Sequence, residues 1–267
     1  MFKDNVDLVI IGGGIIGLAT ANEIIKTKKN IKILLVDKSS EVASQQSGHN
    51  SGVIHSGIYY KPGSFKAKFC VEGRASMTEF CEKNDIPVWT CGKLIVATDK
   101  SDVERIDNLY ERGTANKVEG LKVLTPEETK EIEPHVVCLK ALHAPKTGIV
   151  DYVKVTEAYA DKFKSMGGEI SLNTEVLGAK VRKKKLIIHT NKGDIESNKV
   201  INCAGLHSDR IAKIFGYDAN LKIIPFRGEY YTLKKEKEYL VKGLIYPVPN
   251  PELPFLGVHF TQTMKGF

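Results

Sequence analysis

Three glycines and one aspartate carry the first readable chemistry. Gly12, Gly14 and Gly17 stand in G-x-G-x-x-G spacing between an apolar run, Val6 to Ile11, and a stretch rich in Ala, Ile and Leu. A second apolar run, Ile31 to Val36, ends at Asp37. That order predicts strand, glycine turn, helix and strand, the βαβ unit that binds a dinucleotide. Gly12 allows the tight turn, Gly14 lets the backbone approach a pyrophosphate, and Gly17 lets the helix pack close to the strand. The helix start offers free N–H groups and a positive dipole end to the phosphates. Asp37 is placed to accept hydrogen bonds from an adenosine ribose, and its charge disfavours a 2′-phosphate. The motif alone does not separate FAD from NAD.

The second chemical stretch is SQQSGHNSGVIHSGIYYKPGS, Ser44 to Ser64. It is rich in Gly, Ser, Asn, His and Tyr and has little hydrophobic periodicity. Such a segment builds no core and reads as a loop and a short helix start pressed against a ligand. His55 stands among Gly52, Gly57, Tyr59 and Tyr60, so crowding by a hydrophobic core is not expected. The histidines lack ligand spacing with acids or cysteines, so no metal is expected. There is no Ser-His-Asp order and no P-loop.

The surrounding elements follow from periodicity. Ser64 to Asn84 has helical spacing, and Phe65, Phe69, Ala75, Met77 and Phe80 form a stripe expected to face a core. Ile86–Thr90 and Lys93–Ala97 predict strands, and Ser101 to Glu119 predicts a helix capped by Ser101. Thr125-Pro126 opens another helix, with threonine as cap and proline in the first turn. Ala141 to Val150 is extended, and Asp151 caps a helix that reaches Met166. Short strands are expected at Ile170–Leu172, Val176–Val181, Leu186–Thr190 and Asp194–Glu196. The apolar strand Lys199 to Gly205 ends in a small-residue turn before a helix from Ser208 to Phe215. Lys222–Leu233 and Gly243–Pro247 read as longer strands. The fold class is therefore α/β: a Rossmann-like nucleotide domain (1–85 and 145–221) interleaved with an α+β substrate domain (86–144 and 222–267) on a mixed or antiparallel sheet.

Composition sets outer bounds. The chain has 267 residues, 42% of them hydrophobic and 27% charged, and 39 basic against 32 acidic residues leave a net charge of +7. A basic balance admits nucleic acid, anionic membrane or acidic metabolites as partners. No RNP, zinc-finger or helix-turn-helix pattern supports a nucleic-acid partner. The run Arg182 to Lys185 reads as a solvated hairpin tip. Cys70, Cys81, Cys91, Cys138 and Cys203 form no C-x-x-C pair, so reduced thiols in a cytoplasmic setting are expected. Val6–Ile16 is too short and too glycine-broken to span a membrane. The first strand begins too early for a signal peptide. Peripheral contact with the inner face of a membrane stays open.

Taken together, GGGIIG, HNSGVIHSGIYYKPGS, GIVDY, INCAGLHSDRIA, PFRGEYY and PVPNPELPFLGVHFT resemble the L-2-hydroxyglutarate oxidase/dehydrogenase family. That family belongs to the glycine oxidase and sarcosine oxidase group of FAD-dependent oxidoreductases, in the D-amino-acid oxidase-like superfamily. The resemblance covers residues 6 to 261. It implies FAD as cofactor and oxidation of a small dicarboxylate, L-2-hydroxyglutarate, to 2-oxoglutarate. The hydride would pass to flavin N5, with a histidine as base. Oxygen and a quinone-linked carrier both stand as electron acceptors.

His55, His259 and His49 lie in the segments that mark the family. His55 is the expected base and His259 an equal candidate for base or substrate ligand. His49 belongs nearer the cofactor; His49-Asn50-Ser51-Gly52 echoes relatives with a covalently bonded flavin, but a covalent link is not expected here. Arg227 is the first choice to grip a carboxylate bidentately. Tyr59, Tyr60 and Lys61 add donors. Ser47, Gly48, Asn50 and Ser51 are expected beside the pyrophosphate and flavin, Lys38 beside Asp37, Val176 at the adenine, and Ala204-Gly205 at a second small-residue turn. Family members run on for roughly another hundred residues or more, about a further domain's worth of chain. The flavin half of the site is therefore expected to be incomplete here. Two alternatives accompany this reading: an amine or amino-acid oxidase of the glycine or sarcosine type, and a non-catalytic FAD-binding remnant.

Overall fold

In the computed structural model, which describes residues 6–28, 30–183, 185–218, 220–250, 252 and 257–264, the first apolar run forms β1 (Val6–Ile11). It is buried along nearly its whole length, as a strand covered on both faces must be. The glycine turn leads into α1 (Ile15–Thr27), and β2 (Ile33–Val36) is wholly buried. Then come the short β3 (Val53–Ile54) and α2 (Phe65–Glu82), whose first turn is capped by the Ser64 hydroxyl accepting from the Ala67 N–H. β4 (Val88–Trp89) and β5 (Lys93–Ala97) precede α3 (Lys100–Ala115). β6 (Lys122–Leu124) runs into α4 (Pro126–Ile132), where Thr125 and Glu128 complete a reciprocal capping box with Pro126 in the first turn. β7 (Lys140–Ala144), β8 (Gly148–Val150), α5 (Tyr152–Ser165) and β9 (Glu169–Ser171) follow. The chain continues through β10 (Val176–Arg182), β11 (Lys185–Thr190), β12 (Gly193–Asn202), α6 (Ser208–Ile214) and β13 (Leu244–Pro247).

These elements form two units, Met1–Asn50 with Tyr152–Glu229, and Ser51–Asp151 with Tyr230–Phe267. The first holds a six-stranded sheet in the order β10-β11-β12-β1-β2-β9. The stretch β12-β1-β2-β9 is parallel, and β10 and β11 add an antiparallel meander. Ile11 pairs with Asn202 on one side and Val36 on the other, so three strands end at one edge. That edge is where a doubly wound sheet presents its ligand crevice. One face of the sheet packs Leu8, Ile10, Ile33 and Leu35 against Leu18 and Ala21 of α1 and Ala160 and Phe163 of α5. The other packs Val9, Ile11, Leu34 and Val36 with Val176 and Ile188, under Ile211 and Ile214 of α6.

The second unit has a mixed sheet, β13-β5-β7-β6, and an antiparallel one, β3-β8-β4. β13 runs parallel to β5, and the other neighbours of the mixed sheet are antiparallel. Ile106 and Leu109 of α3 cover Ile95, Ala97 and Leu142, and Ile58 from the histidine loop is buried in the same cluster.

The α/β class is the one expected, and several details differ. The chain crosses between units at 50, 151 and 229 instead of 85, 145 and 222. Residues 51–85 therefore belong to the second unit, where β3 pairs with β8 in the antiparallel sheet. Phe65 and Phe69 are 75% and 62% exposed and stack on each other; α2 buries Ala67 and Cys81 instead. Asp99, not Ser101, caps α3, since its carboxylate reaches the Asp102 N–H while Ser101 donates its hydroxyl to that same carboxylate. Residues 222–231 form no strand. Ile224, Phe226, Tyr230 and Tyr231 stand out into solvent, because strand propensity without a partner strand makes no ladder. The strands expected at Asp194–Glu196 and from Lys199 are one continuous β12. Residue 184 of the basic run and residues 251 and 253–256 of PVPNPELPFLGVHFT lie outside the described residues.

Candidate active site

At the strand-end edge of the first unit the glycines separate into distinct tasks. Gly12 adopts φ +119°, and a Cβ there would stand 2.2 Å from the Cys203 carbonyl oxygen. A Cβ on Gly17 would stand 2.0 Å from the Gly12 carbonyl oxygen, so these two glycines let strand ends and helix meet. Gly14 is different. It is the N-cap of α1, with no side-chain cap, and a Cβ there would meet only the Ser47 Oγ, at 3.1 Å. The space over the helix start is thus a cradle that a side chain would occupy.

Asp37 closes the other side of the turn. Gly13 donates its N–H to Oδ2 at 2.6 Å, and Ser39 donates to Oδ1 at 2.7 Å. Each carboxylate oxygen retains a further lone pair, so Asp37 can brace the turn and still accept from a ligand hydroxyl. The Ser47 Oγ accepts from the Ile15 N–H at 2.9 Å, and Ala43 donates to the Gly13 carbonyl at 3.1 Å. Gly48 lies so close to Ala43 that a Cβ would come 2.4 Å from its carbonyl oxygen. A helix start whose cap residue has no side chain, bare backbone and an acid at the next strand end fit a pyrophosphate and a ribose.

Lys38 donates from Nζ to Nε2 of His207 at 3.1 Å. Burial, then Lys38, holds His207 below the usual imidazole range. Ala204 donates its N–H to the Asn202 side-chain oxygen, and Gly205 takes φ +55°. Val176 is buried in the sheet core. His49 and Asn50 are exposed. The His49 Nδ1 lies 2.9 Å from the Gln45 carbonyl, and Asn50 donates to the carbonyls of Gln46 and Ser47. Arg227 is also in this unit, its side chain 85% exposed and 3.3 Å from Glu229.

In the second unit, α2 and α3 hold the histidine loop by its backbone. Asn116 donates to the carbonyls of Gly57 and Tyr60, Arg112 to that of Tyr59, and the Cys70 thiol to that of His55. Gly57 at φ +98° brings the loop against Val71. Ile58 anchors it in the core. The side chains of His55, Tyr59 and Tyr60 are thereby fixed from behind.

His55 keeps an exposed edge, yet the protein around it strips enough water to dominate its titration. Burial, then the Lys93 and His259 charges, push it down to about 4. Its ring nitrogens have no hydrogen bond among the described residues. Burial also raises the phenol of Tyr60, with Cys70 adding to the effect.

His259 is placed by a bridge: Ile245 and Phe260 exchange backbone hydrogen bonds, which extends the sheet beyond β13. The His259 ring then lies 4.4 Å from that of Tyr246. Its Nδ1 is 3.0 Å from the Gly257 carbonyl, which can only accept, so the neutral tautomer leaves Nε2 free to accept a proton. The Tyr246 hydroxyl pairs with the Thr261 hydroxyl at 3.3 Å and also bonds the Ser51 side chain.

Two members of this cluster are invisible in the sequence. Lys93 opens β5, where Leu244 and Ala144 flank it on neighbouring strands, and it is 2% exposed. Its Nζ donates to the Tyr59 hydroxyl at 3.3 Å and sits 4.6 and 4.7 Å from the ring centres of Tyr59 and Tyr246. A lysine heading the run Lys93-Leu94-Ile95-Val96-Ala97 reads as a solvated strand end. Tyr246 is likewise unmarked, since Tyr-Pro-Val-Pro carries no spacing signal. His55, Tyr59, Tyr60 and His259 are brought into one unit; Arg227 is not among them.

The family profile described as FAD dependent oxidoreductase (DAO) matches residues 7–267. The L-2-hydroxyglutarate dehydrogenase of Indibacter alkaliphilus is 52% identical over 260 residues, covering 97% of this chain and 65% of that protein. The mitochondrial L-2-hydroxyglutarate dehydrogenase of Homo sapiens is 46% identical over 272 residues, covering 97% of this chain and 59% of that one. The chain thus spans about three fifths of the length of these curated relatives. Among solved structures, FAD-bound L-alpha-glycerophosphate oxidase from Mycoplasma pneumoniae superposes with a TM-score of 0.80 at 26% identity, covering 99% of this chain and 70% of that one.

Proposed function

Because the chain belongs to the FAD dependent oxidoreductase (DAO) family, its cofactor is FAD, and we propose that the whole protein oxidises L-2-hydroxyglutarate to 2-oxoglutarate. The observation that carries this reading is His55, its imidazole held uncharged and its ring nitrogens without a hydrogen bond among the described residues, in one cluster with Lys93 and His259. Similarity to the L-2-hydroxyglutarate dehydrogenases supports the choice of substrate.

When bound, FAD supplies at flavin N5 the acceptor for the hydride that leaves the substrate's C2. The first unit holds the cofactor's ADP portion through the Gly12–Gly14 bend, Asp37 and the 43–48 turn, with Lys38 and Ala204-Gly205 beside them. Val176, His49, Asn50 and Ser51 complete the proposed cofactor contacts. In the second unit His55 accepts the C2-hydroxyl proton on a ring nitrogen. An imidazole near 4 is a weak base, but the hydroxyl turns strongly acidic as its carbon loses hydride. The substrate's carboxylates also draw the imidazole upward when they arrive. The Tyr60 phenol donates to the oxygen of that hydroxyl, and His259, with Nε2 as acceptor, is the alternative base. Arg227 is proposed as a carboxylate ligand. The terminal acceptor is oxygen or a quinone-linked carrier.

Turnover of the full-length protein on L-2-hydroxyglutarate, glycine and sarcosine tests the reading. Flavin bleaching under anaerobic L-2-hydroxyglutarate, with no response to the amines, is expected. Oxidation of glycine without oxidation of 2-hydroxyglutarate overturns it.

A further inference from the structure

Lys93 is a buried ammonium with no ion-pair partner among the described residues, an arrangement that costs stability unless something compensates for it. The groups that face it come from three elements: Tyr59 and His55 on the loop, Cys70 on α2 and Tyr246 on β13. None is an anion near neutral pH. Burial raises both phenols, and it raises the Cys70 thiol despite the opposing pull of Lys93. Two aromatic faces and one phenol oxygen hold the cation, and the remaining donors of its –NH3+ are free for a ligand.

We propose that Lys93 is the anion anchor of the second unit, its buried ammonium between Tyr59 and Tyr246 taking a carboxylate of the substrate. This rests on the reading of that unit as the one that receives the dicarboxylate. Burial lowers Lys93 to about 7 in the empty site. An incoming carboxylate favours the charged form, so binding draws a proton onto Nζ when the solution is above neutrality. Apparent affinity then falls with the charged fraction of Lys93, roughly tenfold between pH 6 and pH 8. Lys93 anchors an anion and is not the group that removes the reacting proton; that role stays with His55.

The test is calorimetric titration of glutarate, which has both carboxylates and no hydroxyl to oxidise, into the wild-type protein, K93M and K93R. Titrations at pH 6 and pH 8, each in two buffers of different ionisation enthalpy, count the protons taken up. Expected are tighter wild-type binding at pH 6, proton uptake at pH 8, at least a 30-fold loss in K93M, and retention of most binding in K93R. Unchanged glutarate affinity in K93M overturns the assignment. So does a wild-type protein that binds no glutarate, or binds it without proton uptake at pH 8, a measurement that needs no variant. A wild type that binds no glutarate fails the dicarboxylate reading beneath the assignment, whereas unchanged binding in K93M fails Lys93 alone.

Discussion

A Cβ placed on Gly17 would stand 2.0 Å from the carbonyl oxygen of Gly12, whereas one on Gly14 would meet nothing nearer than the Ser47 hydroxyl at 3.1 Å. The two glycines of one motif therefore fail differently when substituted. G17A forces α1 off the strand and is expected to cost about 3 kcal/mol, the upper range for inserting atoms into packed structure. G14V leaves the packing and fills the cradle. It is expected to melt within a few degrees of flavin-free wild type and to purify without flavin colour. A yellow G14V protein contradicts the placement of the pyrophosphate over Gly14.

His55 is held near 4 by burial and by the Lys93 and His259 charges, so it is uncharged through the whole neutral range. H55A is expected to slow flavin reduction by L-2-hydroxyglutarate about 10²–10⁴-fold, the usual contribution of a general base, with FAD affinity unchanged. The sign of the pH effect is fixed. Protonation removes the acceptor, so kcat/KM of the wild type declines as pH falls through about 4. No further loss is expected near the ordinary histidine value of 6.5. A full-rate H55A protein removes His55 from the chemistry.

Phe65 and Phe69 show where reading from pattern stops. Spacing alone tells that α2 has a stripe of large apolar residues, but not which side meets a neighbour. Burial falls on Ala67 and Cys81. The double variant F65S/F69S is accordingly expected to change stability by less than about 1 kcal/mol, two exposed positions at up to about 0.5 each. A loss several times larger in chemical denaturation places the pair in a core.

What the sequence made legible follows the same physics. The βαβ unit could be read because its glycines, its apolar runs and Asp37 are all local and each has a backbone reason to be there. Thr125 as the cap of α4, with Pro126 in the first turn, was legible for the same reason, a cap being decided within four residues. Residues 222–231 looked like a strand because Ile, Phe and Tyr favour one, yet a strand exists only when another lies beside it. The crossing at residue 50 was hidden because it depends on β3 pairing with β8, nearly a hundred residues later. His55 announced itself through an odd neighbourhood. Lys93 did not, since its burial is imposed by Leu244, Ala144, Tyr59 and Tyr246, all distant in the chain.

The buried lysine also makes a prediction about stability that runs against its usefulness. Its value drops from the ordinary 10.5 to about 7 in the folded chain. Between those values the unfolded chain binds more protons than the folded one, so stability should rise with pH across that window. The contribution is fully present above about 10.5 and is lost as pH falls through about 7. Methionine fills a similar volume with no charge to strip of water. K93M is therefore expected to be more stable than wild type at pH 6, by roughly 1–4 kcal/mol, as when buried charges are replaced by apolar residues. The gap should narrow toward pH 9. Thermal unfolding of both proteins at the two pH values measures it. A K93M protein less stable than wild type at both would mean that Lys93 serves the fold. A more stable K93M that no longer holds glutarate would mean the fold tolerates this cation for the sake of its ligand.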